Sequence, residues 1–157
     1  MDFSRLAKIR YKKELSQREV AKILKVSKST YARWETGEQV IPLPHLNDFC
    51  QFFKVSFDYA IGLNENNRYS SNNYTTKISK EKIGNNLKLI RKKNKLTQKD
   101  LAEILNTSQS TICAYEKGKT LVLTAFLYSV CREFSISADR ICGRYKESRA
   151  AALLCLW

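Results

Sequence analysis

The chain has no run of about 20 apolar residues, so it offers no helix long enough to span a membrane. Its opening, MDFSRLAKIR, lacks the apolar core of a secretory leader, and the expected compartment is the cytoplasm. Histidine occurs once, at His45, and the five cysteines (Cys50, Cys113, Cys131, Cys142, Cys155) contain no C-x-x-C pair. Structural zinc needs four clustered thiolate or imidazole ligands. This spacing supplies none, so no metal is expected and the thiols are read as buried and reduced. No nucleophile–base pair and no glycine-rich phosphate loop is found, which argues against an enzyme, and no cofactor is expected.

What the chain does have is positive charge. Its 157 residues carry 28 Lys and Arg against 15 Asp and Glu, a net +13. Such an excess fits either well-solvated faces or a polyanionic partner, nucleic acid or an acidic membrane surface. The excess is uneven: residues 1–63 hold 11 basic and 7 acidic side chains, and residues 79–157 hold 15 and 7.

The second feature is repetition. Displaced by 81 positions, Leu6–Gly62 aligns without a gap on Leu87–Gly143, with about a third of positions identical. LSQREVAKILKVSKST becomes LTQKDLAEILNTSQST, and VSFDYAIG becomes ISADRICG. Two copies are too few for a solenoid, so each unit must hold its own small core. The expected division is residues 1–63, a linker over 64–78, residues 79–145, and an apolar tail over 146–157.

Each unit reads as helical throughout, an all-α fold. A first helix over about Ser4–Lys13 puts Leu6, Ile9 and Arg10 on one face. Ser16 stands where an N-cap belongs, with Glu19 three residues on to complete a capping box. Thr97 and Asp100 repeat the arrangement with a shorter acid that weakens it. A second helix over Gln17–Leu24 buries Val20, Ala21 and Leu24. Ser27 caps a third helix that Gly37, or Gly118 in the second unit, ends in the left-handed region. Pro44 opens a fourth helix with Leu46, Phe49, Cys50 and Phe53 inward, and Ser56 caps a short fifth that closes at Gly62.

Two short helices joined by a tight turn form a helix-turn-helix, here at about 17–36 and again at about 98–117. The pattern Q-x-x-[VL]-A-x-x-[IL] … S-x-S-T-x-x-x-[WY]-E-x-G, followed by [VI]-S-x-D, resembles the phage-repressor-like XRE or Cro-type family. The resemblance covers both units and implies two tandem lambda-repressor-like five-helix domains joined by a flexible linker. The second unit departs from the pattern where Leu123, Thr124 and Ala125 replace the proline-containing start of the fourth helix and Arg140 replaces Tyr59.

The resemblance implies double-stranded DNA as the partner, with the third helix in the major groove. In the first unit it implicates Ser27, Lys28, Ser29 and Arg33. Lys and Arg suit the O6 and N7 acceptors of guanine, whereas Ser discriminates less. Lys28 and Arg33 stand roughly 140° apart around a helix, and both border one stripe if their stems bend inward. The second unit presents Ser108, Gln109 and Ser110, with Ala114 in place of Arg33. Gln109 suits adenine, so the two units are expected to read different half-sites.

Gln17 and Gln98, at the start of the second helix of each motif, either hold a phosphate with nearby backbone N–H groups or stand as exposed first-turn residues. The basic runs RYKK and RKKNK either add phosphate contacts or are simply solvated. By resemblance, Arg10 with Glu35 and Arg91 with Glu116 form partly buried ion pairs. Tyr31, Ile112, Trp34 and Tyr115 are read as packing residues rather than base-stacking platforms.

Asn64–Lys77 is rich in Asn and Ser and reads as flexible. As a coil it has a typical end-to-end distance of roughly 20 Å, with about 45–50 Å at full stretch. Half-sites one turn apart are separated by about 34 Å, so direct and inverted arrangements both stay open. The apolar tail Arg149–Trp157 either extends the last helix, mediates self-association, or has no role in the fold. The leading reading is a sequence-specific DNA-binding transcriptional regulator. Its rivals are a protein-interaction module of antitoxin or anti-repressor type, with an unknown protein partner, and an RNA binder. No ligand-sensing domain remains beside the two units, so built-in effector control is not expected.

Overall fold

The computed structural model describes residues 4–69 and 77–145. It divides into two units, at Ser71/Asn72. Unit 1 contains α1 (Ser4–Tyr11), α2 (Gln17–Ile23), α3 (Lys28–Thr36), α4 (Leu43–Phe53) and α5 (Phe57–Ala60). Unit 2 repeats the order with α6 (Lys80–Lys93), α7 (Gln98–Ile104), α8 (Gln109–Glu116), α9 (Thr124–Phe134) and α10 (Ala138–Ile141). Among the described residues the architecture is all-α, with five helices in each unit, as the sequence pattern predicts.

Local chemistry sets the helix boundaries. The Ser16 hydroxyl accepts from the Glu19 N–H at 3.2 Å while Glu19 returns to the Ser16 N–H at 2.7 Å. The Thr97–Asp100 box, expected to be weaker, forms in full at 3.1 and 2.7 Å. Ser27 and Ser108 cap α3 and α8, accepting from Thr30 and Thr111 at 3.0 and 3.1 Å. Gly37 (φ 77°) and Gly118 (φ 62°) take the left-handed conformation that lets each of these helices stop and the chain turn away.

Some boundaries move. α1 ends at Tyr11 rather than Lys13, because Glu14 turns to φ 56° and the Arg10 guanidinium donates to the Leu15 carbonyl at 2.9 Å. Pro42 is the N-cap of α4, so that helix begins at Leu43, one residue before Pro44. The first change follows a local side-chain contact that fixes the turn, and the second places Pro44 in the first helical turn, where its missing N–H costs no intrahelical bond.

The cores share a plan but not a composition. In unit 1, Tyr31 stacks on Phe49 (centroids 6.5 Å apart) and Trp34 packs on His45 (5.1 Å). The corresponding pair in unit 2 is Tyr115 with Phe126, at 4.8 Å, while Ile112 and Val130 take the places of Tyr31 and Phe49. Of the described cysteines, Cys50, Cys131 and Cys142 are buried and Cys113 is half-buried. Unit 2 also closes on a buried ion pair, Arg144 Nη1 to Asp139 Oδ1 at 2.8 Å; unit 1 has Leu63 in that place.

The linker reading needs correction at its first half. The Asn67 side chain accepts from the Ser56 N–H at 3.0 Å and donates to the Lys54 carbonyl at 3.0 Å. Arg5 donates to the Asn64 carbonyl at 2.8 Å, pairs with Glu65, and lies over the Tyr59 ring at 5.2 Å. Asn64–Tyr69 is therefore a strap of unit 1. The expected flexibility over residues 70–76 and the expected role of the tail over 146–157 fall on residues outside those described.

Candidate nucleic-acid interface

α3 packs on α1 and α2, and α8 packs on α6 and α7. Each turns one face inward: Tyr31, Trp34 and Glu35 in unit 1, Ile112, Tyr115 and Glu116 in unit 2. The aromatic residues of these two helices thus serve packing, as the sequence suggests. The opposite face is left to solvent. Lys28, Ser29 and Arg33 are exposed on α3, and Gln109 and Ser110 on α8, where Ala114 is half-buried.

A carboxylate behind each helix ties three helices together. Arg10 donates through Nε and Nη2 to the two oxygens of Glu35, at 2.7 and 2.9 Å, and Gln17 Nε2 donates to the same carboxylate at 2.9 Å. In unit 2, Arg91 donates to Glu116 at 2.5 and 2.9 Å, and Gln98 at 2.9 Å. A guanidinium fork on a carboxylate is the strong form of a charged hydrogen bond. Burial pushes the Glu35 carboxyl up, but the hydrogen bonds from Arg10 and Gln17 outweigh it and leave its pKa below the ordinary value. The same holds for Glu116 with Arg91 and Gln98. Hydrogen bonding to Glu35 raises the Arg10 pKa, and burial raises that of the Tyr31 phenol.

Gln17 and Gln98 are therefore neither free surface residues nor wholly absorbed by the core. Each is half-buried, and its amide keeps a second N–H beyond the one given to the glutamate. The sequence reading missed this bond, although the signal was present: Gln and Glu recur 18 residues apart in both copies. Ser27, expected both to cap α3 and to lie on the reading face, and its counterpart Ser108 are exposed, and their hydroxyls act as caps. Ser27 Oγ lies 2.9 Å from Ser29 Oγ and 2.8 Å from Thr30 Oγ1, and Ser108 makes the same pair of contacts at 2.8 Å each.

Residues just past the helices were not singled out. Glu38 follows α3 and meets Arg33 as an exposed ion pair, Nε to Oε1 at 3.6 Å. At the corresponding positions of unit 2, Lys117 and Lys119 are both exposed, where unit 1 has Thr36 and Glu38. Among the described residues no three His, Cys, Asp or Glu side chains gather as a metal site requires, and no helix is long and apolar enough to cross a membrane.

Comparison with known proteins matches each unit separately. The family described as Helix-turn-helix, of XRE type, covers residues 6–59, and that described as Helix-turn-helix domain covers residues 84–147. Among curated proteins, the chain is 36% identical over 64 residues to "Antitoxin PezA" of Streptococcus pneumoniae serotype 4 (strain ATCC BAA-334 / TIGR4). That similarity spans 41% of this chain and 40% of the relative's length. Among solved structures, two of the clp gene regulator ClgR from Corynebacterium glutamicum are similar. One shows 27% identity and a TM-score of 0.37, covering 40% of this chain and 66% of that one. The other shows 26% identity and a TM-score of 0.38, covering 50% and 95%. With a match on each repeated unit and the three-helix geometry present in both, the chain carries two helix-turn-helix domains in tandem, the first of XRE type.

Proposed function

We propose that this protein is a sequence-specific double-stranded DNA-binding transcriptional regulator that reads two half-sites, one with α3 and one with α8. The observation that carries this reading is the exposure of Lys28, Ser29 and Arg33 on a helix whose other face is locked by Arg10, Glu35 and Gln17. A rigid helix with polar donors on its free side suits the major groove. Gln17 and Gln98 supply phosphate contacts with their remaining amide N–H, so the glutamate that fixes each helix also aims the amide beside it. Lys and Arg elsewhere on a chain of net +13 supply the sequence-independent attraction.

The units divide the work unequally. Arg33 offers unit 1 a bidentate partner for guanine, a contact of about 1–3 kcal/mol of discrimination, and Ala114 offers unit 2 none. Gln109 gives unit 2 a preference for adenine. Tethering keeps the weaker reader at an effective concentration on the order of millimolar.

Binding measured against salt tests this. Log affinity should fall against log salt with a slope near −0.9 per phosphate contacted. About six contacts cost on the order of a thousandfold between about 50 and 200 mM. A salt-independent affinity over that range contradicts the proposal. A second reading, a protein-interaction module, draws support from the similarity to PezA, a protein described as an antitoxin. It predicts tight binding to a protein and no preference among duplex sequences.

A further inference from the structure

Resting on the DNA-reading proposal for α3, we infer that Glu38 is a positioning residue that holds Arg33 for guanine and sets how strictly unit 1 discriminates among bases. The left-handed Gly37 stops α3, and the Gln39 N–H returns to the Arg33 carbonyl at 3.1 Å, which fixes the backbone on either side of Glu38. The carboxylate then lies 3.6 Å from the Nε edge of Arg33, with the two side chains 51% and 65% exposed. A pair so exposed does little for stability, so its value is sought in what it does to the guanidinium.

Arginine has five N–H donors in a rigid plane. A carboxylate at the Nε edge leaves the far edge of the plane, with one N–H from each terminal nitrogen, to meet a guanine O6/N7 pair. Holding a long side chain in one pose before binding reduces the ordering cost of the complex. The same carboxylate repels phosphate, so a wrongly placed duplex gains little from Arg33. Glu38 thus favours base reading over indiscriminate attraction.

Unit 2 carries the converse charges on a turn that closes one residue earlier. The Lys119 N–H bonds to the Ala114 carbonyl at 3.0 Å after Gly118, but there is no arginine to hold and the acid is replaced by a cation. Glu38 and Arg33 therefore occur together, and are absent together.

The test uses the full chain, a duplex bearing the site it selects from a random pool, and mixed-sequence duplex as the reference. Glu38→Lys should cut the preference for guanine at the Arg33 position by about tenfold. It should also raise affinity for mixed duplex and steepen the salt slope by about one. Glu38→Asp should retain part of the preference, and Glu38→Gln should cause no further loss once Arg33→Ala is present. If Glu38→Lys strengthens mixed-duplex binding but leaves the guanine preference intact, the inference fails. It fails equally if the Glu38→Gln and Arg33→Ala losses multiply. A wild-type chain that selects no sequence overturns the base-reading proposal beneath it as well.

Discussion

Glu35 is the residue on which the presentation of α3 depends, since it is met by Arg10 from α1 and by Gln17 from α2. Arg10 and Glu35 are both buried, with side chains 5% and 4% exposed. Removing one partner of a buried pair leaves the other charge uncompensated, which costs about 3 kcal/mol or more. Arg10→Met should therefore lower the melting temperature of unit 1 by more than about 10 °C. An unchanged melting temperature with lost DNA binding would mean that Arg10 touches DNA instead. The acid response has a definite sign. The folded-state pKa of Glu35 is depressed, so its contribution is complete above the unfolded carboxylate value of about 4.3 and is lost as pH falls through the folded value. Acid titration of wild type against Arg10→Met should show the two stabilities converging as Glu35 protonates. The Arg10–Glu35 pair was legible because it repeats at one spacing and the family resemblance implies it. The Gln17 bond was not, since a glutamine in a first turn points outward or inward according to helices that local sequence does not fix.

At the scale of elements, capping and period were legible because they are local: Ser, Thr and Gly hold their positions in both copies and form the caps expected of them. Tertiary features were less so. Asn64–Tyr69 has the composition of a coil, yet Asn67 caps the α4–α5 turn and Arg5 grips Asn64 and Glu65. Polar residues carry no periodic signal that tells a strap from a loose linker. Gly84 in α6 was also passed over, because the aligned repeat begins at Leu87. A Cβ there would lie 2.2 Å from the Tyr115 carbonyl oxygen, so the bare glycine lets α6 approach α8. Gly84→Ala gains up to about 1 kcal/mol in helix propensity but forces a backbone clash of the kind that costs about 1–3 kcal/mol. Unit 2 should melt earlier while unit 1 stays unchanged; a raised melting temperature for unit 2 would contradict the close approach.

Across the whole molecule, one scaffold is used twice with different exposed faces. Duplication of the buried pattern was visible at once, because core positions, caps and the Arg–Glu pair tolerate few residue types. The difference between the outer faces of α3 and α8 was visible too, in Lys28 and Arg33 against Gln109 and Ala114. The placing of Glu38 beside Arg33 was not, since it depends on how the chain turns after a left-handed glycine. The strap also alters the reach available to the pair. Tyr69 and Ser79 are ten residues apart in the chain, which allows at most about 33–36 Å, shorter than the 45–50 Å that a 14-residue linker allows. The central claim, two helix-turn-helix readers of unequal specificity, is tested most directly by selecting bound duplexes from a random pool with the full chain, with Arg33→Ala and with Gln109→Ala. The account predicts two dissimilar half-sites, with Arg33→Ala relaxing base preference in one and Gln109→Ala in the other. Recovery of a perfect two-fold palindrome, or both substitutions relaxing the same positions, would contradict it.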